Sequence, residues 1–308
     1  MLRDKIMNRQ NGIITYGITP PKLNTPEEKR LEITKRHIER INKLNIDGLV
    51  IYDIQEESER NGEERPFPYL PTVDSYEYSM NYLEEIKVPK VIYRCVGKYS
   101  QETFKEWLTE KSNRDRFSVL VGAASRNQRV SLKLQEAYDL YGSTESDLLI
   151  GGVTIPERHI KYSNEHIRVV DKMKNGCRYF ISQAVYNLEA SKNFLSDYYY
   201  YCRDQEIPMV PIIFTLTPCG SLKTLEFMKW LGINISSWLE NDLLNSEYIL
   251  DKSLELLKKQ FIDLYQFAYD KKIPIGCNIE SVSIRKVEID ASIQLVDEIQ
   301  NIMQGGMN

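Results

Sequence analysis

Short apolar runs rich in β-branched and aromatic residues recur along the chain and end at turn-forming or polar residues, a pattern typical of buried β-strands. Eight such runs predict strands over residues 12–19, 48–54, 88–96, 117–123, 147–153, 178–185, 209–216 and 273–279. The segments between them show the apolar spacing of helices. In the first, Ile38 and Ile41 lie three residues apart, and Glu27 and Glu28 stand at the start, where the helix dipole favours acidic side chains.

Nine segments of this kind predict helices over residues 25–44, 73–86, 101–111, 126–141, 163–175, 188–204, 221–231, 251–270 and 285–303. Eight strands that alternate with helices in 308 residues indicate a (β/α)8 TIM barrel. A doubly wound sheet is the alternative. It usually has a Gly-x-Gly-x-x-Gly turn after its first strand, whereas residues 16–21 read YGITPP. We therefore predict one barrel domain over 1–308, with frayed tails at 1–11 and 304–308.

Composition and charge narrow the classes of function. Hydrophobic residues make up 42 % of the chain and charged residues 27 %, which is typical of a globular protein with a sizeable core. The net charge is −4 and the basic residues are scattered, so nucleic acid is not an expected partner. Neither a secretory signal nor a run of about 18 apolar residues is recognised. We expect a cytoplasmic protein without a membrane partner.

The cysteines and histidines predict no metal site. The five cysteines lie far apart without a C-x-x-C pair, and no histidine stands at metal-ligand spacing. Cys219 and Cys277, near strand ends, are assigned to packing because no His-Asp arrangement supports a nucleophile. His159 follows Pro-Glu-Arg at a predicted loop start, with no second histidine expected nearby. Ligand contact and a structural hydrogen bond are both open for it.

In a (β/α)8 barrel, functional side chains come from the C-terminal ends of the strands. Gln183 lies at the end of the sixth strand, and its planar amide suits the amide-like edge of a heterocycle; a polar residue satisfied in a turn is the alternative. Glu280 lies in an otherwise apolar eighth strand. Desolvation there would raise its pKa and suit it to donating a proton, although a structural salt bridge is also consistent with its position.

Other polar residues at the strand ends are further candidates for ligand contact. Asp53, Gln55 and Glu57 follow the second strand, where they supply either an acid or contacts to ribose hydroxyls, or form only a solvated loop. The remaining candidates, from strands three and five to eight, are Arg94, Thr154, Tyr186, Thr217, Asn278 and Ser281.

Four stretches at these strand ends resemble the motifs of one known family. Residues 18–21 read ITPP, 155–159 read IPERH, 172–183 read KMKNGCRYFISQ and 210–218 read VPIIFTLTP. They are similar, in order, to a first-strand ending before a double proline, to Tyr-Pro-Glu-x-His, to K-x-D-A-G-A-x-x-x-I-T-Q and to V-P-I-I-P-G-I-x-P. Together they resemble the methylenetetrahydrofolate reductase family, (β/α)8 barrels that reduce 5,10-methylenetetrahydrofolate to 5-methyltetrahydrofolate.

The resemblance implies a small-molecule folate substrate and a place in one-carbon metabolism and methionine biosynthesis. Gln183 falls where the family's glutamine contacts the pterin, in agreement with the amide-edge argument. His159 and Lys172 fall where flavin-containing members contact FAD.

Departures from the family cluster on the flavin contacts. The first-strand glutamate that supplies a proton to the folate nitrogen is Gly17 here, and the charged Leu-Arg-Gly-Asp after strand four reads LVGA at 120–123. The Thr-Tyr-Gly-Ala of strand two and the His-Leu-Thr-Cys of strand three are replaced at 52–55 and 93–96. A barrel that kept the pterin contact and lost these residues resembles the flavin-independent members, so FAD is the less favoured cofactor.

We therefore predict direct hydride transfer from NADH or NADPH to the methylene carbon. The amine that leaves the imidazolidine ring needs a proton, and Glu280 is our first choice of acid, with Glu57 second. The predicted substrate contacts are Gln183, Tyr186, Asp53, Gln55, Thr217, Asn278 and Ser281, and the predicted cofactor contacts are His159, Lys172, Arg94 and Thr154.

Two alternatives stay open: an FAD-dependent reductase, and a folate-binding methyl-transfer or accessory protein without reductase activity. The choice between NADH and NADPH, and the existence of a homo-oligomer or partner subunit, are also open.

Overall fold

The structure, a computed structural model, describes residues 1–56, 64–112, 115–124 and 128–305. Eight parallel strands are β1 (Ile13–Ile18), β2 (Gly48–Ile51), β3 (Lys90–Cys95), β4 (Phe117–Val121), β5 (Leu149–Thr154), β6 (Phe180–Ala184), β7 (Ile212–Leu216) and β8 (Ile275–Glu280). Each strand pairs with the next along the chain, and β8 pairs with β1 to close the barrel. The predicted (β/α)8 barrel is confirmed, with strand ends that differ by a few residues.

Helices surround the barrel. They are α1 (Leu2–Met7), α2 (Glu27–Ile41), α3 (Ser75–Asn81), α4 (Gln101–Thr109), α5 (Leu134–Ser143), α6 (Pro156–Tyr162), α7 (Glu165–Lys174), α8 (Leu188–Asp204), α9 (Leu222–Trp230), α10 (Ser237–Leu244), α11 (Ile249–Asp270) and α12 (Lys286–Gln304). Sequence periodicity missed α1, α6 and α10. The predicted helix over 73–86 is longer than α3. Its start is fixed by the side chain of Asp74, which accepts hydrogen bonds from the N–H groups of Tyr76 and Glu77.

The N-terminal segment is not the frayed tail that we expected at 1–11. Leu2 and Ile6 lie on one face of α1, each 2 % exposed, and pack with the barrel-interior side chains of Ile13 and Phe117. Because Ile13 and Phe117 are the first residues of their strands, α1 closes the N-terminal end of the barrel. One turn and a half of helix offers too few apolar positions for its periodicity to be recognised from sequence.

Alternation along the strands decides which side chains face the barrel axis. In β8, Ile275, Cys277 and Ile279 pack in the large core between the sheet and the helices. The intervening Asn278 and Glu280 therefore point into the barrel, since successive side chains of a strand lie on opposite faces. Glu280 is the last residue of β8, which places it at the C-terminal mouth.

In the part of the chain that the structure describes, no helix has the length and apolar character needed to cross a bilayer.

Candidate active site

Glu280 occupies space that is open because residue 17 has no side chain. Gly17 and Glu280 are partners across the β1–β8 ladder. A Cβ placed on Gly17 would lie 3.2 Å from the Cβ of Glu280 and 2.7 Å from Cε2 of Tyr52, closer than such atoms normally approach. Glycine at this position therefore allows a carboxyl group and a phenol to share the mouth of the barrel.

The surroundings of Glu280 raise the pKa of its carboxyl group and so favour the protonated form. The residue is half-buried at the mouth, and burial raises its pKa to about 7, against the opposing effect of a hydrogen bond from Tyr52. Burial also raises the pKa of Tyr52 well above 10.0, so this hydroxyl stays protonated and donates to the carboxylate. An acid with this pKa holds its proton in a substantial share of molecules near neutral pH.

Asn278 positions the Tyr52 hydroxyl from below. Its Nδ2 donates to the Tyr52 hydroxyl oxygen at 2.8 Å and to Oγ1 of Thr215 at 3.2 Å, and its Oδ1 accepts from Oγ1 of Thr15 at 2.9 Å. The side chain is fully buried and both N–H groups and the carbonyl are used. Asn278, predicted as a substrate contact, is therefore better suited to orienting Tyr52 than to touching a ligand.

Gln183 lies at the same end of the barrel. It follows the inward-facing Tyr179 and Ile181 at alternate positions of the sixth strand region, next to an irregularity in the β6–β7 register. Its Nε2 donates to the carbonyl of Leu231 at 2.7 Å. This bond fixes the plane of the amide. Among the described residues, none donates a hydrogen bond to the amide oxygen. One acceptor and one donor are left for a ligand.

Aromatic and cationic side chains line the region beside Gln183. The guanidinium of Arg65 lies 5.1 Å from the ring centre of Trp230 and 5.2 Å from that of Phe227. Phe67 packs edge-on against Phe227 with ring centres 5.2 Å apart. Gln183 bonds to the carbonyl of the residue directly after Trp230. The rings of Phe67, Phe227 and Trp230, called the aromatic wall below, therefore lie next to the amide. Flat rings and a cation suit a conjugated, anionic ligand.

Two predicted contacts, one after β2 and one on β3, bind other groups of the protein. The carboxylate of Asp53 is buried, accepts from the backbone N–H of Cys95 at 2.8 Å and pairs with Lys98. Arg94 is 5 % exposed, pairs with Asp74 at 3.1 Å and lies 4.0 Å from the ring centre of Tyr99. These contacts favour structural roles for Asp53 and Arg94 over contact with substrate or cofactor.

Gln55 joins two loops at the mouth of the barrel. Its Nε2 donates to the carbonyl of Gly122 at 3.1 Å, and its Oε1 accepts from Gln128 at 3.4 Å. The second predicted acid, Glu57, lies outside the described residues.

Three predicted substrate contacts brace the segments after β7 and β8. The Tyr186 hydroxyl donates to the carbonyl of Thr217 at 2.6 Å and is buried. The Thr217 hydroxyl oxygen accepts from the N–H of Val282 at 3.3 Å, and the Ser281 hydroxyl donates to the carbonyl of Ser283 at 2.8 Å. These bonds shape the chain that leaves Glu280, and they favour an indirect role for all three residues.

The predicted cofactor contacts around β5 also bind protein groups. The Thr154 hydroxyl donates to the carboxylate of Glu165 at 3.1 Å, and Nζ of Lys172 donates to the carbonyl of Val153 at 2.5 Å. Burial lowers the pKa of Lys172. These bonds fasten α7 to the end of β5 and engage both groups with protein partners.

His159 differs from its prediction in two respects. It lies within α6 rather than at a loop start, because Pro156 begins the helix at its first position. It also has a histidine neighbour, since the ring centres of His159 and His166 are 5.3 Å apart. Its Nε2 lies 2.9 Å from Oδ2 of Asp197 on α8, so the ring faces the outer helices.

Sequence reasoning did not select Tyr52 or Tyr93 as site residues. Their rings meet edge-on, with centres 4.8 Å apart, beside Glu280. The available signal was strand alternation, because each tyrosine lies two residues after an inward-facing valine, Val50 or Val91.

Comparisons with known proteins identify a clear relative. A solved structure of an uncharacterised protein from Clostridium thermocellum is 58 % identical in sequence, has a TM-score of 0.89, and matches over 98 % of this chain and 100 % of that one. The two proteins belong to one family. The Clostridium thermocellum relative binds two copies of 5-methyl-5,6,7,8-tetrahydrofolic acid.

Other comparisons add no functional information. No protein-family model and no curated protein matches the chain. Wild-type Plasmodium falciparum HPPK-DHPS is 11 % identical over 96 % of this chain and 47 % of its own, with a TM-score of 0.40. A 2,3-dimethylmalate lyase is 10 % identical over 99 % of this chain and 98 % of its own, with a TM-score of 0.42. Likenesses this weak have no bearing on function.

Proposed function

We propose that this protein binds a reduced folate at the C-terminal mouth of its barrel and reduces 5,10-methylenetetrahydrofolate to 5-methyltetrahydrofolate, with NADH or NADPH as the hydride donor. The family relationship supports the folate part, because the Clostridium thermocellum relative binds 5-methyltetrahydrofolic acid and is 58 % identical. That compound is the product of the proposed reduction. The sequence motifs that resemble methylenetetrahydrofolate reductases support the same substrate class.

The position of Glu280 is the observation that supports reductase chemistry most directly. The family's proton-donating glutamate belongs on the first strand, where this chain has Gly17. Glu280 stands directly across the ladder from Gly17, with its side chain in the space that the glycine leaves. A carboxyl group thus stands on the adjacent strand, at the level of the barrel where the resemblance puts the glutamate of the reductases.

The proposed reaction uses Glu280 as general acid. Its proton passes to the imidazolidine amine as the bond from that nitrogen to the methylene carbon breaks, which leaves an iminium on the other nitrogen. A dihydronicotinamide stacked on the folate supplies hydride to the methylene carbon, which becomes the methyl group. The Tyr52 hydroxyl donates to the resulting Glu280 carboxylate, and solvent at the half-exposed mouth returns the proton.

Gln183 and the aromatic wall suit the two ends of a folate. The free acceptor and donor of the Gln183 amide match the pterin's amide-like edge. The rings of Phe67, Phe227 and Trp230 line the region beside it, and the positive charge of Arg65 against two of these rings favours the anionic glutamate tail.

The residues that the resemblance assigns to FAD do not fit a flavin. Lys172 is held by the carbonyl of Val153, and His159 is turned to Asp197 among the outer helices. The two charges expected after strand four are absent from the sequence LVGA at 120–123. The proposal therefore includes no flavin step.

The test is a nicotinamide assay with matched variants. Purified protein is scanned from 300 to 500 nm, and NADH or NADPH oxidation is followed with and without 5,10-methylenetetrahydrofolate. We expect folate-dependent oxidation, and Glu280→Gln should lower kcat by about 100-fold or more while folate affinity changes little. Glu106→Gln, on the exposed surface of α4, is the matched control and should retain full activity. A flavin spectrum, or equal activity in Glu280→Gln, would contradict the proposed mechanism.

A folate-binding methyl-transfer or accessory protein is the second candidate. The bound 5-methyltetrahydrofolic acid of the Clostridium thermocellum relative also fits this function, since it is a methyl donor. Tight binding of 5-methyltetrahydrofolate, no nicotinamide oxidation with either cofactor, and indifference to Glu280→Gln would together favour it.

A further inference from the structure

Three potential metal ligands converge on the helices outside the barrel. His159 belongs to α6, His166 to α7 and Asp197 to α8. One donor atom of each residue lies within 4.8 Å of the donor atoms of the other two. The helical hairpin of α6 and α7 brings the histidines together, because Ser163 between the helices takes a left-handed conformation with a φ of 47°.

The histidine nitrogens in this cluster are enclosed without a partner. Nδ1 of His159 and Nδ1 of His166 are buried, and neither has a hydrogen-bond partner in the described parts of the chain. His159 as a whole is only 5 % exposed. A buried polar group left unsatisfied costs about 1–3 kcal/mol, so two adjacent ones call for an explanation.

The hydrogen bond between His159 and Asp197 defines how one ring would bind an ion. Nε2 of His159 lies 2.9 Å from Oδ2 of Asp197. If Nε2 donates to this carboxylate, the lone pair of His159 is on the buried Nδ1. Metal-binding histidines characteristically donate their other ring N–H to a carboxylate, which orients the ring. Asp197 is half-exposed, so its carboxylate can instead turn from Nε2 to the ion, and direct binding then replaces this hydrogen bond.

We propose that His159, His166 and Asp197 bind a divalent transition-metal ion such as Zn²⁺. Two imidazoles and one carboxylate form a ligand set that suits Zn²⁺ and is poorly suited to Mg²⁺ or Ca²⁺, which prefer oxygen. Small side-chain rotations would bring the donor atoms to the separation of about 3.4 Å found in tetrahedral zinc sites. Water at the solvent side of Asp197 completes the coordination.

The surroundings favour a structural ion over a catalytic one. The rings of Phe194 and Tyr201 lie 6.3 Å from His159 and 5.5 Å from His166, respectively, and enclose the histidines on the inner side. The ion would join α6, α7 and α8, the helices that pack around the ends of β5 and β6.

The first test is calorimetric titration of chelator-treated protein with ZnCl₂. We expect one ion per chain. His166→Ala and Asp197→Asn should each weaken binding by about 100-fold or more. Asp204→Asn, on the exposed C-terminal turn of the same helix as Asp197, is the matched control and should bind as the unmodified protein does. No binding, or binding unchanged in His166→Ala and Asp197→Asn, would overturn the proposal.

A second test needs no variant. The chain has three histidines, and the third, His37, lies in α2 against Tyr78. In a ¹H–¹⁵N spectrum of the imidazoles, Co²⁺ should shift or broaden the signals of His159 and His166 and leave those of His37 unchanged. Equal effects on all three histidines, or none, would rule out the site. Neither test requires folate or activity, so failure here is separate from failure of the proposed function.

Discussion

The position of the Glu280 side chain depends on the absence of a side chain at Gly17. A side chain at residue 17 would collide with Tyr52 and Glu280, so glycine is required for both to reach the mouth of the barrel. The phenol then donates to the carboxylate, and Asn278 fixes the phenol. At this scale the proposed proton donor is a set of three side chains, two on β8 and one directly after β2, not a single acidic residue.

The pH dependence of turnover tests this set. Because burial raises the pKa of Glu280 to about 7, a general acid at this position loses its proton as the pH rises through 7. We expect kcat, measured from pH 6 to 9, to fall about tenfold per pH unit above the pKa. The residual activity of Glu280→Gln should lack this decline, whereas Glu106→Gln should keep it. A decline that persists in Glu280→Gln would assign it to another group.

Glu157 offers a prediction about stability. It is 9 % exposed, and burial raises its pKa from 4.5 to about 8, against the effect of backbone N–H groups of Glu157 and Tyr186. Between these values the folded chain holds a proton that the unfolded chain releases, so stability is lost as the pH rises. Glu157→Gln removes this loss.

We therefore expect the stability of Glu157→Gln, relative to the unmodified protein, to rise by up to about 1.4 kcal/mol per pH unit between pH 5 and 8. Urea unfolding at several pH values measures the difference. Glu106→Gln, an exposed change of the same type, should give a difference that is flat with pH. A flat difference for Glu157→Gln as well would contradict the assignment.

At the scale of elements, short helices make side-chain contacts that the periodicity of strands and helices does not predict. Helix α6 begins at a proline, in a segment where the sequence predicts a loop, and its packing on α7 brings His159 against His166. The two histidines lie seven residues apart across a turn, a spacing that has no standard meaning for metal binding. Their proximity depends on the backbone conformation of one residue, Ser163.

The N-terminal helix makes a testable contribution to stability. Leu2 and Ile6 of α1 are each 2 % exposed and close the bottom of the barrel. We expect Leu2→Ala and Ile6→Ala each to lower the free energy of unfolding by about 2–5 kcal/mol, measured by urea denaturation. Met7→Ala, on the same helix but 53 % exposed, should change it by less than about 0.5 kcal/mol. Equal effects at all three positions would mean that α1 does not seal the barrel.

At the scale of the whole molecule, the closed barrel gathers the ends of all eight strands into one mouth. A ligand bound there contacts several strands and stabilises the folded chain by mass action. On the proposed function, 5-methyltetrahydrofolate at 100 times its Kd should add about 2.7 kcal/mol to the free energy of unfolding. The measurement is Tm by calorimetry against folate concentration.

The matched variant for this experiment is Gln183→Ala, which should reduce the increase in Tm at a fixed folate concentration because the amide contact is lost. The control is again Glu106→Gln. An unchanged Tm at high folate concentration would contradict folate binding itself, whereas an equal increase in Gln183→Ala would contradict only the role of Gln183.

The sequence determined the barrel because its information is local and repeated. Eight apolar runs, each followed by a helical segment, leave few arrangements that bury both strand faces, and the structure has that closed barrel. Strand ends also directed attention to Glu280 and Gln183. Tertiary structure was needed to decide which of the candidate side chains face the mouth of the barrel. Asp53 and Arg94 each follow a tyrosine that faces the barrel interior. Their own charges are nevertheless paired with Lys98 and Asp74, respectively.

Contacts between distant segments were beyond the reach of the sequence. The pairing of Gly17 with Glu280 joins residues far apart in the chain, and it follows from closure of the barrel between its first and last strands. The convergence of His159, His166 and Asp197 depends on how three helices pack on the barrel. Local periodicity determines which elements form, whereas side-chain chemistry depends on distances across elements, and those are decided only when the chain packs.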